Sequence, residues 1–65
     1  MIKLTKEEWE LLRLYELAGA EGMSRRKMDD VSIRRSVPLL QAGLIENGSM
    51  GLLLITPAGS AFLNA

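Results

Sequence analysis

Five cations fall within eleven residues of this 65-residue chain: Arg25, Arg26, Lys27, Arg34 and Arg35, with Gln41 a little further on. These side chains have well-defined recognition chemistry. Arginine pairs bidentately with phosphate or with guanine, glutamine pairs with adenine, and lysine meets phosphate as a point charge. Groups suited to catalysis are scarce. The chain has no histidine and no cysteine, which removes imidazole and thiolate ligands, the usual neutral-pH proton carrier and the thiol nucleophile. Glu7, Glu8, Glu10 and Glu16 are spread along one solvated helical segment and have no nucleophile–base pair beside them. The expectation is a binding protein, not an enzyme, without metal or cofactor.

The net charge hides this pattern. Lys and Arg number 8, and so do Asp and Glu, so the formal total is zero. Residues 1–22 carry three basic and five acidic side chains, net −2, and residues 46–65 carry only Glu46. Residues 23–45 set the five cations against Asp29 and Asp30, net +3. A basic middle segment favours an anionic partner, double-stranded DNA first among them.

The length allows one domain over residues 1–65, a size that hides only about 60% of its unfolded surface. The longest apolar run, Leu52–Ile55, is far below the ~20 residues of a membrane span, and the N-terminus lacks the apolar core of a signal peptide. A soluble cytoplasmic protein is expected.

Local signals place the cations on helices. Thr5 and Glu8 form a T-x-x-E capping box for a first helix from Lys6 to about Ala18, with Gly19 as its stop. Leu4 and Trp9 stand where a hydrophobic staple would. Leu11, Leu14, Tyr15 and Ala18 share one face of that helix, with Leu12 beside them. Trp9 and Leu17 lie toward the charged side, as a closure of the core or as a contact surface for a second subunit. Ser24 can cap a short second helix to about Asp30, and Ser32 a third from Ile33 to Ala42. In the third, Ile33, Val37, Leu40 and then Leu44 form the apolar stripe, opposite Arg34, Arg35, Pro38 and Gln41.

Pro38 complicates that arrangement, because inside a helix it removes the bond to the Arg34 carbonyl. In the alternative, the second helix runs to Arg35 and the third starts at a Ser36 cap. The first arrangement has the better stripe and is preferred, with a kink near Pro38. It also puts Arg25–Lys27 in the first turn of the second helix and Asp29–Asp30 near its end. The helix dipole disfavours that order unless an anion binds at the N-terminus.

A hairpin follows: Leu44–Glu46, a turn signal at Asn47–Gly48, a loop through about Gly51, and a return strand from Leu52 to Thr56. Four successive apolar residues on the return strand imply cover on both faces, from Ile2–Leu4 as a third strand or from a partner chain. Thr56 then caps a short helix opened by Pro57 and running to Leu63. The fold class is α+β, mainly α: a three-helix core, an antiparallel wing of two strands with a place for a third, and a short C-terminal helix.

Two segments carry a family resemblance, Leu39-Leu40-Gln41-Ala42-Gly43-Leu44-Ile45 and Ile55-Thr56-Pro57-Ala58-Gly59. They resemble the L-x-x-x-G-L-I and L-T-x-x-G signatures that bracket the wing in winged helix-turn-helix domains of MarR-like and related bacterial and archaeal regulators. The likeness covers about residues 24–63. It implies a transcriptional regulator whose third helix, about residues 32–42, enters the DNA major groove. That role passes to Arg34, Arg35, Ser36, Pro38 and Gln41, while Arg25, Arg26 and Lys27 hold phosphates. The chain departs from the pattern at Pro38 and in a wing loop, Asn47–Gly51, without Lys or Arg. Two further expectations stand beside DNA binding: a homodimer through the first helix (Trp9, Leu17) or the wing strand, and a winged helix that serves only protein–protein contact.

Overall fold

The computed structural model describes residues 3–64. Helix α1 (Lys6–Ala18) starts where the capping box sets it. The Glu8 amide donates to Thr5 Oγ1 at 3.2 Å, and the Thr5 amide donates to a Glu8 carboxylate oxygen at 2.9 Å. Glu7 and Glu8 in the first turn suit the helix dipole. Gly19, with positive φ, ends the helix. Its inner face differs from the expected stripe: Leu11, Leu12 and Tyr15 are buried, with Tyr15 between the two leucines, while Leu14 is 52% exposed.

No α-helix forms between Ser24 and Asp29. Instead Met23–Ser24 is a short strand, β1, and Arg25–Lys27 make a single 3₁₀ turn. Ser24 makes no side-chain cap bond. Helix α2 is Asp30–Gln41, capped by Asp29, whose carboxylate accepts from the Ser32 amide at 2.8 Å. Ser32 therefore lies within the first turn and is not the cap. Pro38 sits inside this one continuous helix, so no second helix begins at Ser36.

The end of α2 is set by two reverse bonds. The Gly43 amide donates to the Leu40 carbonyl at 3.1 Å and the Leu44 amide to the Leu39 carbonyl at 3.0 Å. This is the Schellman arrangement, which needs a left-handed residue at Gly43 (φ 77°) and brings Leu44 back against Leu39. Both leucines are buried.

Strands β2 (Ile45–Asn47) and β3 (Leu52–Ile55) form the hairpin. Strand β1 pairs with the other side of β3, giving an antiparallel sheet of order β1-β3-β2. Strand β3 is central, with Met23 opposite Leu53 and Ile45 opposite Ile55; Leu53 is buried in the core, while Leu52, Leu54 and Ile55 are half-buried. The third strand comes from Met23–Ser24. Lys3 and Leu4 form no strand, and Ile2 lies outside the described residues.

Asn47–Gly48 is not the centre of the turn. Met50 (φ 59°, ψ 32°) and Gly51 (φ 76°) are both left-handed, and the Leu52 amide donates to the Ser49 carbonyl. That is the type I′ geometry, placed three residues later.

Helix α3 (Pro57–Leu63) is capped by Thr56, whose hydroxyl accepts from the Gly59 amide at 3.0 Å. The same hydroxyl donates to the Gly43 carbonyl at 2.7 Å, so one side chain joins the end of α2 to the start of α3. Gly59 is buried against the Leu44 backbone, so close that a Cβ there would collide with the Leu44 carbonyl oxygen. Leu11, Leu12, Tyr15, Leu39, Leu44, Ile45 and Leu53 make one core between α1, α2 and the sheet. Among the described residues no helix is long and apolar enough to cross a membrane.

Candidate nucleic-acid interface

Helix α2 packs on α1 through a polar seam as well as through Leu39. Ser36 is 1% exposed. Its Oγ donates to the Ser32 carbonyl at 2.8 Å, so its one proton is used, and the Tyr15 hydroxyl 2.8 Å away must donate to it. Burial pushes the Tyr15 phenol above its ordinary pKa, while the Ser36 bond and the charge of Arg25 act in the opposite direction. Ser36 is thus an internal group and is unavailable to DNA, contrary to the role assigned from the resemblance. Apolar periodicity could not reveal it, because a serine reads as a solvent position unless its partner is known.

With Ser36 and Leu39 inward, the opposite side of α2 is fixed by a helical repeat of about 3.6 residues. Asp30, Arg34, Val37 and Gln41 follow at i, i+4, i+7 and i+11, and all four are exposed. Val37 belongs to this outer stripe, at 44% exposure, and not to the core. Arg34 and Gln41 therefore share a face.

Arg35 does not share it. It lies about 100° around the helix from Arg34. There it lines a groove of about 210 Å³ with Ser32 and with Glu7, Glu10, Leu11 and Leu14 of α1. Two carboxylates in the same groove reduce its availability to a base edge.

Arg25, Arg26 and Lys27 are exposed on the 3₁₀ turn that leads into α2. Lys27 also borders a hollow of about 420 Å³ with Glu21, Met23, Ser24, Met28 and Leu52. The unfavourable dipole arrangement expected for this segment does not exist. Asp29 and Asp30 stand at the N-terminus of α2, where negative charge is favoured, and not at the C-terminus of a preceding helix. The Asp29 carboxylate is held below its usual pKa, chiefly by the Ser32 side chain and then by the Ser32 amide. This end of α2 is occupied by its own anion, so any phosphate contact falls to the three cations of the turn. Asp29 could have been read as the cap from its residue type, but Ser32 offered an equally good signal.

The β2–β3 hairpin carries no cation. Its tip is Met50, 94% exposed and in a left-handed conformation that glycine or asparagine adopts more easily. On α1, Leu17 is 78% exposed, and Trp9, less exposed, has the Arg13 guanidinium 5.3 Å from its ring centroid. This cation–π pair accounts for Trp9 on the charged side. Among the described residues there is no group of three acidic side chains placed to hold a metal.

No family model matches this chain, and searches of curated proteins and of solved structures find no match.

Proposed function

We propose that this chain is a small winged-helix DNA-binding protein of the transcriptional-regulator class. Helix α2 lies in the major groove, Arg34 and Gln41 face base edges, and Arg25, Arg26 and Lys27 hold the phosphate backbone. The observation that carries this reading is a turn bearing three exposed cations that leads directly into a helix whose outward face bears Arg34 and Gln41. The element order and the strand order β1-β3-β2 support a wing beside that helix. A 3₁₀ turn stands where the first helix of a helix-turn-helix would, and α2 is anchored by its Asp29 cap and, against α1, by Ser36 and Leu39.

The test is a fluorescence titration with duplex DNA at two salt concentrations. Contacts from the three cations to phosphates give a slope of log affinity against log salt of roughly −3. Affinity independent of salt would contradict the proposal. Alanine at Arg34 weakens specific binding more than non-specific binding, whereas alanine at Arg25, Arg26 or Lys27 weakens both alike.

A second reading, a winged helix used for protein contact, is favoured by Leu14, Leu17 and Met50, large apolar side chains left exposed on α1 and the wing. A homodimer through α1 would use the same Trp9–Leu17 surface. Sedimentation of the free protein tests for the homodimer.

A further inference from the structure

We infer that Val37 is a specificity-determining residue that reads the methyl group of a thymine, between a guanine read by Arg34 and an adenine read by Gln41. This inference rests on the DNA-binding reading above and extends it to the kind of site recognised. Val37 stands out on three grounds. It is a β-branched side chain 44% exposed on α2, whose other exposed valine, Val31 at 49%, lies off the Arg34–Gln41 stripe. Its position is fixed by Ser36 and Leu39, its neighbours in the core, which hold the helix by a hydroxyl bond to Tyr15 and by full burial. It lies on the same stripe as Arg34 and Gln41, one turn after the first and one turn before the second.

The spacing suits a run of about four base pairs. Seven residues from Arg34 to Gln41 rise about 10 Å, and DNA advances about 3.4 Å per base pair, so the stripe covers about three steps. The side-chain types supply three different recognitions in that distance. A guanidinium donates two bonds to guanine, a carboxamide exchanges two with adenine, and an aliphatic side chain packs on the thymine C5 methyl. A chain of zero net charge has weak long-range attraction for DNA, so apolar base contact contributes a larger share of its selectivity.

The probe is the duplex that this protein selects from a random pool, together with the same duplex carrying deoxyuridine at its thymines, which removes only the methyl group. Wild type is expected to bind the deoxyuridine duplex about fourfold more weakly, the value of one buried methyl-sized group. Val37→Ala should bind the thymine duplex about fourfold more weakly than wild type and should not distinguish the two duplexes. Val37→Ile, which keeps an aliphatic surface, should retain the discrimination. Alanine is the better helix former, and an unchanged thermal midpoint confirms that the variants are folded. If Val37→Ala keeps the full penalty for deoxyuridine, or if the selected site contains no thymine, the inference is overturned while DNA binding stands. If wild type binds no duplex at low salt, the DNA-binding reading itself fails.

Discussion

Helices α1 and α2 are nearly equal in length, 13 and 12 residues, and each starts at a side-chain cap, yet they are held in different ways. Helix α1 buries Leu11, Leu12 and Tyr15 and contacts α2, α3 and the sheet. Helix α2 buries only Leu39 and Ser36, and it contains a proline. The first is fixed by apolar area. The second is fixed by one leucine, a hydroxyl chain and well-made ends, which leaves most of its surface outward. The candidate binding helix is thus oriented by directional bonds, which set its rotation more sharply than a fluid apolar contact would.

Substitutions in the two helices should differ accordingly. Leu12→Ala in α1 removes a fully buried side chain and should cost about 3 kcal/mol, enough to unfold much of a domain this small, as chemical denaturation would show. In α2 the change of comparable size has the opposite sign. Pro38→Ala restores a donor to the Arg34 carbonyl and should stabilise by about 2 kcal/mol, the helical cost of proline less its entropic advantage in the unfolded chain. A destabilised Pro38→Ala would mean that the proline ring is needed for packing.

Next is the seam between the helices. Tyr15→Phe should cost about 1 kcal/mol by deleting the bond to Ser36. It should also flatten the alkaline limb of the stability profile. The folded-state pKa of Tyr15 is raised, so its contribution is fully present below the unfolded value of 10.0 and is lost as pH rises through the folded value. The protein has one tyrosine, so phenolate absorbance reports this residue alone.

The smallest effect lies at the α2 cap. The folded pKa of Asp29 is lowered, so its stabilisation is present above the unfolded value of 3.8 and disappears as pH falls through the folded value. Asp29→Asn should keep the cap and lose this acid dependence, seen as convergence of the two melting curves at low pH.

Much of this division was legible in the sequence wherever short-range chemistry decides. The Thr5–Glu8 box, Gly19, Gly43 and the Thr56–Pro57 pair set boundaries through bonds to residues three or four positions away. The segment from Met23 to Ser32 was not legible. A two-residue strand has no period, and Asp29 and Ser32 give equal cap signals, so pairing with β3 decided the outcome. Leu14 and Leu12 exchanged roles because the inner face of α1 depends on what packs there. The exposed cations followed from charge clustering, but the separation of Arg34 from Arg35 required knowing that Ser36 turns inward to Tyr15.

The central claim is that the outward stripe of α2 and the turn before it form the DNA-binding surface, while the outer side of α1 does not. Amide chemical-shift mapping during titration with duplex DNA tests it most directly. The account predicts the largest shifts at Arg25–Lys27, Arg34, Val37 and Gln41, with Arg13 and Leu17 unmoved. Shifts confined to Trp9, Leu14 and Leu17, or no shifts at low salt, would contradict it.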